Sequence, residues 1–331
     1  MKKLSLLSIA HFLVDLCCAA LFFGWLNRGQ SWWLCMAIYN GCAFALQLPL
    51  GLLADGANRN LLFAAGGCAL VGAGFLLAAS PLLAAATAGI GNGLFHVGGG
   101  LEVLNDSDRA APLGVFVSPG AVGLYLGTAY AAVFARHVWL APLLLILLGA
   151  ALLLFGRRTQ ALVSRNATLS LTLPKGGGVA LLCLFLVVAL RSLLGGAFTT
   201  GIPTLPGLAP VLCLALGKAA GGFCADRLGL KRTALLSLGL SCLLLLLPRG
   251  YVTLAALFLF NMTMPLTLFG AARLLNGAKG TVFGLLTCAL FLGMVPRFLG
   301  LPLDLPGFGW AGLALLSLGL LLMGLRREAE G

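Results

Sequence analysis

Apolar stretches long enough to cross a lipid bilayer follow one another along the whole chain, and no other feature limits its possible folds as strongly. A transmembrane helix needs about 20 mostly apolar residues. Of the 331 residues, 60% are hydrophobic and only 9% are charged, whereas a soluble domain has about 25% charged residues. We therefore predict an all-α integral membrane protein and exclude a soluble globular fold.

Charges, Pro and Gly breaks and aromatic residues mark the ends of twelve predicted spans. The first six lie at 4–26, 32–55, 61–79, 82–104, 110–135 and 138–156. The second six lie at 177–200, 206–227, 232–248, 251–273, 280–300 and 306–325. We predict a six-helix bundle at 1–156, a cytoplasmic connecting loop at 157–176 and a second six-helix bundle at 177–331.

The basic residues predict the orientation of these spans. With the N-terminus inside, nearly all Lys and Arg residues fall on the cytoplasmic side, and the outer loops hold only Arg28, Arg136 and Arg249. The positive-inside rule therefore places both termini in the cytoplasm. The net charge of +12 is spread along the chain, which indicates topology and not a nucleic-acid surface. We expect a multi-pass monomer surrounded by lipid in the plasma or inner membrane.

Two motifs repeat at one fixed shift of the sequence. QLPLGLLAD (47–55) superimposes on KAAGGFCAD (218–226), and the LN pair at 104–105 superimposes on the pair at 275–276. Parallel repeats of this kind place a substrate site between the two halves near the bilayer midplane. Rocking of one half against the other then exposes that site alternately to each side.

The runs GLLADGANR after span two and GGFCADRLGLKR after span eight resemble the cytoplasmic-loop signature of major facilitator transporters. In the first copy, Gly56 stands where that family usually has a basic residue. The resemblance implies the major facilitator fold and a cytoplasmic latch formed by Asp55 with Arg59 and by Asp226 with Arg227. Carboxylates at these helix ends can also accept hydrogen bonds from the free N–H groups of a neighbouring helix.

Three further stretches resemble the fosmidomycin-resistance branch of the same superfamily. They are AHFLVD in span one, GIGNGLFH in span four and SPGAVGLYLG in span five. This resemblance implies an exporter. Gly120, Gly123 and Gly127 in the last stretch recur at three- and four-residue steps, which predicts a groove where another helix approaches closely.

Ionisable residues inside apolar spans are costly and are functional candidates by default. His11 and Asp15 lie four residues apart on one face of span one, and Asn92 and His96 repeat that spacing in span four. For His11, Asp15 and His96, three interpretations stay open: a proton-coupling site, a static network between the two spans, and a transition-metal site. We favour proton coupling, because no His-rich tract or ligand-dense loop supports a metal. We expect neither a metal nor a cofactor.

Two cations in the second half predict the chemistry of the substrate. Arg191 lies midway along span seven, and Lys218 lies midway along span eight at the repeat position of Gln47. They are candidates to bind an anionic group, and pairing with Asp15 is the alternative. We favour substrate contact, because one buried acid cannot neutralise two buried cations.

Three uncharged residues complete the predicted substrate-binding set with Arg191 and Lys218. They are Gln47 in span two, Asn92 in span four and Asn261 in span ten. For Asn261, a hydrogen bond to its own helix is the alternative use.

The sequence thus predicts a proton-linked secondary transporter for a small organic molecule with an anionic group, and slightly favours export. An organic-acid uptake symporter is the first alternative. A non-transporting membrane protein, such as a lipid scramblase or a scaffold, is the second. No nucleophile elbow, phosphate-binding loop or metal signature occurs in an aqueous segment, so we predict that the protein is not an enzyme.

Overall fold

The computed structural model describes residues 2–28, 31–137, 139–195, 207–248, 250–301 and 305–325. In these ranges every regular element is a helix. The last residues of predicted span seven (196–200) and the first residue of predicted span eight (206) lie outside the described residues. The same holds for Arg249, Arg326 and Arg327 of the predicted topology.

The helices follow the order of the predicted spans. The first half contains α1 (Lys2–Gly24), α2 (Trp32–Asn40), α3 (Gln47–Ala57), α4 (Asn60–Leu76), α5 (Pro81–Asp106), α6 (Ala110–Val117), α7 (Pro119–Ala129), α8 (Ala131–Arg136) and α9 (Leu140–Arg158). The second half contains α10 (Gly177–Gly195), α11 (Leu208–Leu228), α12 (Leu230–Leu245), α13 (Tyr251–Asn261), α14 (Thr263–Leu274), α15 (Lys279–Phe298) and α16 (Gly307–Gly324).

An all-helical membrane fold is therefore confirmed at the level of its helices. Within the described ranges, nine helical segments have the length and apolar composition of a membrane span. Large apolar side chains such as Ile146, Leu147 and Leu316 are exposed on these helices, as lipid-facing side chains are. The count of twelve crossings and the cytoplasmic position of the termini stay predictions.

Prolines explain why three predicted spans are interrupted helices. A proline has no N–H to donate to the carbonyl four residues before it. Pro49 lies four residues after Ala45, the last residue of a π-helical turn (Gly41–Ala45) between α2 and α3. Pro265 lies four residues after Asn261, where α13 ends. Pro119 begins α7 directly after the break that ends α6.

The chain divides into two compact units that each include a segment from the other half of the sequence. Unit 1 comprises Met1–Asp106, Pro119–Ser170 and Gly277–Cys288. Unit 2 comprises Ser107–Ser118, Leu171–Asn276 and Ala289–Gly331. The first part of α15 thus belongs to unit 1, and α6 belongs to unit 2. The bundle boundaries at 156 and 177 stay predictions, because compactness does not show which segments move together.

Close packing of α4 on α5 fixes the helix that carries Asn92 and His96. A Cβ atom on Gly67 would approach the backbone of α5 within 2.6 Å, and one on Gly98 would approach the backbone of α4 within 2.5 Å. Only glycine permits two helix backbones to come this close. The side chains of α5 that face α1 are therefore held at a fixed position along the helix axis.

Candidate functional site

Three titratable side chains of unit 1 converge between α1 and α5. His11 Nε2 lies 2.9 Å from His96 Nε2 and 3.3 Å from Asp15 Oδ2. His96 Nε2 lies 3.7 Å from Asp15 Oδ1. The sequence spacing predicted that His11 and Asp15 share a helix face, and the structure adds His96 from the second helix. We call these three residues the His–Asp–His cluster.

Asn92 belongs to this cluster as its hydrogen-bonding partner. Its Nδ2 donates to Asp15 Oδ1 at 3.1 Å, and its backbone carbonyl lies 2.9 Å from His96 Nδ1. Asn92 is a predicted substrate residue, and in this structure its amide nitrogen contacts the Asp15 carboxylate. Its spacing of four residues from His96 is the signal that pointed to this group.

The hydrogen bond to Asn92 assigns the tautomer of His96. A carbonyl oxygen only accepts hydrogen bonds, so His96 Nδ1 must carry a hydrogen. In a neutral His96 ring, Nε2 is then bare and faces His11 Nε2. A hydrogen bond between these two nitrogens requires one hydrogen between them, so a neutral His11 carries its hydrogen on Nε2. The two rings thus share a single proton next to a carboxylate.

The cluster is only partly closed. His11 is 5% exposed and Asn92 is 3% exposed, whereas the side chains of His96 and Asp15 are 15% and 19% exposed. His96 and Asp15 are therefore the less enclosed members of the cluster. The three ligand atoms also lie within 4.8 Å of one another, which is close enough for a metal ion.

The glycine-spaced stretch of α7 makes room for the cluster. A Cβ atom on Gly120 would overlap His11 Nε2 and Asp15 Oδ2. Cβ atoms on Gly123 and Gly127 would overlap the backbone carbonyls of α1. The groove predicted from the glycine spacing therefore holds α1. Gly120 also leaves the space that the side chains of His11 and Asp15 occupy.

In unit 2, Arg191 is a buried cation without an acidic neighbour among the described residues. It is 7% exposed, and its Nη1 donates to Thr267 Oγ1 of α14 at 3.1 Å. Thr267 is its one hydrogen-bond partner in the described ranges. A guanidinium has five N–H donors, and burying a charge without a partner is costly. The site is therefore suited to an anion.

Lys218 lies on a different helix of unit 2 and contacts different groups. Its Nζ is 3.4 Å from the carbonyl oxygen of Val117, at the end of α6. Arg191 instead contacts α14. The structure thus gives the two predicted substrate cations separate surroundings.

The two remaining predicted substrate residues use their amide nitrogens within their own segments. Asn261 Nδ2 donates to the carbonyl of Leu257 at 2.8 Å, the alternative stated for it above. Gln47 is fully buried, and its Nε2 donates to the carbonyl of Ala43 at 2.6 Å. Gln47 Oε1 is buried without a hydrogen-bond partner among the described residues, so it keeps one free acceptor.

The predicted latch carboxylate Asp55 caps the first turn of α15 within unit 1. Its Oδ1 accepts from the N–H of Gly280 at 2.8 Å. Its Oδ2 accepts from the N–H and the hydroxyl of Thr281 at 2.7 and 2.8 Å. The first N–H groups of a helix lack intrahelical partners and favour a negative charge. Asp55 supplies both the acceptor and the charge.

Asp226 does the same for α6 within unit 2. It accepts from the N–H groups of Ala110 and Ala111 at 2.7 and 3.1 Å. Its ion-pair partner is Arg109, whose Nε lies 3.3 Å away. Arg109 directly precedes α6, and no local pattern of the sequence predicts its pairing with Asp226.

The predicted partners Arg59 and Arg227 do not reach these carboxylates in the described residues. Both arginines are exposed. Arg227 directly follows Asp226 in α11, and adjacent residues of a helix do not face each other. The carboxylates of the repeated motif therefore contact distant helix ends, and the two arginines are solvated.

Comparisons with known proteins identify the fold. No protein-family model matches the chain, and no curated protein matches it in sequence. Among solved structures, the E. coli fucose:proton symporter FucP has a TM-score of 0.66 at 15% identity, covering 99% of this chain and 98% of that one.

Two further solved structures agree with this result. A bacterial homologue of the iron transporter ferroportin has a TM-score of 0.66 at 16% identity, covering 98% of both chains. The human organic anion transporter MFSD10 has a TM-score of 0.68 at 19% identity, covering 97% of this chain and 99% of that one. Another FucP structure is described as a major facilitator superfamily transporter. The chain therefore has the fold of major facilitator transporters, and none of these similar structures is described as an enzyme.

Proposed function

We propose that the protein is a proton-coupled secondary active transporter of a small organic molecule with an anionic group. It works by alternating access between two six-helix bundles, with twelve membrane crossings and both termini in the cytoplasm. It resides as a monomer in the plasma or inner membrane and is not an enzyme. Export is slightly favoured over uptake, because the motifs of spans one, four and five resemble the fosmidomycin-resistance branch.

The observation that carries this proposal is the His–Asp–His cluster inside a transporter fold. With two neutral rings and an ionised Asp15, the cluster has a net charge of −1. One added proton converts a ring to imidazolium beside the carboxylate and brings the net charge to zero. Charge is costly inside the membrane. The neutral, protonated cluster is therefore suited to a state closed to water, and the charged, unprotonated cluster to a state open to water.

Arg191 supports an anionic substrate. Its guanidinium is buried, and its hydrogen bond goes to the neutral Thr267. A carboxylate or phosphate presents two oxygens to the planar fork of an arginine and neutralises its charge. Gln47, Asn92, Asn261 and Lys218 complete the proposed substrate set. Among these, the unpaired acceptor of Gln47 favours a substrate that also carries a hydrogen-bond donor.

The contacts of Asp55 and Asp226 support a latch for the alternating cycle. Each carboxylate joins helices that lie in different halves of the sequence, α3 with α15 and α11 with α6. We propose that both contacts form in one state of the cycle and break in the other. Arg59 and Arg227 then act only through the local charge of their loops.

Transport driven by a pH gradient tests the proposal. The full chain is reconstituted into liposomes, and a panel of small carboxylates and organic phosphates is offered with and without a gradient. We expect one class of anion to accumulate with the gradient, and Asp15→Asn to abolish this accumulation. His137→Gln is the matched control, because His137 is exposed at the end of α8 and lies outside the cluster.

Two outcomes contradict this function. If no anion moves with the gradient and Asp15→Asn changes nothing, proton coupling at the cluster is wrong. If a chelator on both sides abolishes coupling, the cluster holds a metal instead. The direction of flux separates an exporter from an organic-acid uptake symporter. Thermal stabilisation by a carboxylate, lost in Arg191→Ala, argues against a scramblase or a scaffold.

A further inference from the structure

The connecting loop after α9 docks on the cytoplasmic end of unit 1 through a short polar segment. The backbone N–H of Ser164 donates to the carbonyl of Asn58 at 2.9 Å, and Ser164 Oγ accepts from the N–H of Asn60 at 2.7 Å. Ser164 is buried. Asn58 lies in the motif loop between α3 and α4, and Asn60 is the first residue of α4. We call residues 164–170 the strap.

Asn166 is the centre of the strap. Its side-chain Nδ2 donates to the carbonyl of Ala54 at 2.8 Å and to that of Asp55 at 3.5 Å. Its Oδ1 accepts from the side chains of Asn60 and Asn105 at 2.8 and 2.9 Å. The carbonyl of Ala54 also accepts from the backbone N–H of Asn58 at 3.3 Å, so Asn166 adds a second donor there. Asn166 therefore supports the last turn of α3, which is the turn that carries Asp55.

The other end of the strap touches the helix that Asp55 caps. The N–H of Ser170 donates to the carbonyl of Gly277 at 3.0 Å. Gly277 lies in a short 3-10 turn (Asn276–Ala278) that leads into α15, three residues ahead of Gly280. A Cβ atom on Gly277 would approach Ser170 within 2.8 Å. The strap thus contacts both sides of the Asp55 latch, the end of α3 through Asn166 and the start of α15 through Ser170.

A network of Asn60, Glu102 and Lys3 supports the side chain that the strap contacts. Asn60 Nδ2 donates to Glu102 Oε2 at 3.0 Å, and Glu102 Oε1 pairs with Lys3 Nζ at 2.7 Å. Glu102 is buried, with 5% exposure. Hydrogen bonds to charged groups are stronger than neutral ones. The side chain of Asn60 is thereby fixed in the position in which it meets Asn166.

We propose that the strap is an internal regulator of the latch, and that Asn166 is a positioning residue that acts through Asp55. This inference rests on the proposed latch function of Asp55. By holding the last turn of α3 and the entrance of α15 together, the strap sets how long the Asp55 contact persists. Opening of α15 away from α3 requires the strap to release at one of its two ends.

Hydrogen exchange of the amides that Asp55 accepts from tests this inference without a transport assay. The full chain is compared in lipid nanodiscs with Asn166→Ala. We expect exchange at Gly280 and Thr281 to rise about fivefold to tenfold, because the loss of the Asn166 hydrogen bonds frees the last turn of α3. Thr168→Ala is the matched control, because Thr168 is exposed in the same segment.

The amides of Ala110 and Ala111 provide an internal reference, because they donate to Asp226 in unit 2. We expect no change there. An equal rise at both latches means that Asn166→Ala only loosens the protein, and it overturns the inference. Unchanged exchange at Gly280 and Thr281 overturns it as well.

A double variant shows whether Asn166 acts through Asp55. In an Asp55→Asn background, Asn166→Ala is expected to add no further rise at Gly280 and Thr281, and an additive rise contradicts the positioning role. If Asn166→Ala does not fold, Ser170→Pro removes the strap's N–H donor to Gly277 instead and is expected to give the same local rise. Loss of pH-driven transport in liposomes bears on the proposed function and leaves this exchange result unaffected.

Discussion

The two repeat-related carboxylates Asp55 and Asp226 do the same local task with different support. Each accepts hydrogen bonds from two backbone N–H groups in the first turn of a helix. Asp55 also accepts a hydrogen bond from the neutral hydroxyl of Thr281, and the strap contacts the end of α3, the helix that carries Asp55. Asp226 has a guanidinium, that of Arg109, as its additional partner.

This difference separates the part of the repeated motif that both copies share from the part that varies. The shared element is a carboxylate at the start of a helix, where the helix dipole and free N–H groups favour an anion. Arg59 in the first copy and Arg227 and Arg232 in the second are exposed. The additional contacts differ: the first copy has the partly buried hydroxyl of Thr281 and the strap, and the second has Arg109, whose side chain is 73% exposed.

Removing the two carboxylate charges has the largest expected effect. Asp55→Asn replaces one carboxylate oxygen by an NH₂ group that faces donors, since Asp55 accepts from the N–H of Gly280 and from the N–H and hydroxyl of Thr281. We expect a loss of about 3 kcal/mol in the free energy of unfolding. Asp226→Asn faces two backbone donors, and we expect about 2 kcal/mol. Thermal unfolding in detergent measures both. A larger loss in Asp226→Asn would reverse the comparison.

Glycines one helical turn before each carboxylate give the next largest effect. A Cβ atom on Gly51 would overlap the carbonyl of Gly280, and one on Gly222 would lie 2.7 Å from the carbonyl of Ala110. We expect Gly51→Ala to cost about 2 kcal/mol and Gly222→Ala about 1 kcal/mol, because the capped helix must move away. Gly56→Ala is the control for the first copy, since nothing lies within 4 Å of its Cβ position.

Thr281→Ala should make the first latch resemble the second. It removes the hydroxyl that donates to Asp55 Oδ2 at 2.8 Å and keeps the backbone donor. We expect a loss of about 1 kcal/mol in stability and faster amide exchange at position 281. Thr281→Ser retains the hydroxyl and should restore most of the loss. Equal effects of Ala and Ser would show that the hydroxyl contributes nothing.

Arg109→Ala should have the smallest effect. An ion pair with a largely exposed arginine contributes less than about 1 kcal/mol, and salt screens it. We expect a small destabilisation that disappears at about 1 M salt, whereas Asp55→Asn should show no such salt dependence. Chemical denaturation with urea at two salt concentrations measures the difference. A salt-independent loss would mean that Arg109 acts through packing.

The sequence predicted the elements that depend on local patterns. The lengths of the apolar stretches gave the helices, and the spacing of four residues joined His11 to Asp15 and Asn92 to His96. It did not predict the partners of Asp55 and Asp226, because these lie more than a hundred residues away and carry no local signal. The predicted spans run uninterrupted through Pro49, Pro119 and Pro265, whereas the structure divides the helices at these prolines.

Asn166 shows most clearly what local patterns miss. The polar connection around it resembles any solvated loop. Its role depends on Asn60 and Asn105, which meet it only in the folded chain. Three asparagines near helix ends and in the connecting loop of an otherwise apolar protein were the available signal.

His11 and His96 share one hydrogen between their Nε2 atoms beside Asp15, and in the proposed function this cluster accepts one further proton. Nitrogen NMR of ¹⁵N-histidine-labelled protein in nanodiscs tests it directly, with His137→Gln to leave only the two cluster rings. At high pH, we predict that His96 carries its hydrogen on Nδ1 and His11 on Nε2. When the cluster takes up its further proton, one ring should carry a hydrogen on both nitrogens, and Asp15→Asn should reduce the fraction of protein in which this happens. Two rings that never protonate, or a His96 with a bare Nδ1, would contradict the account.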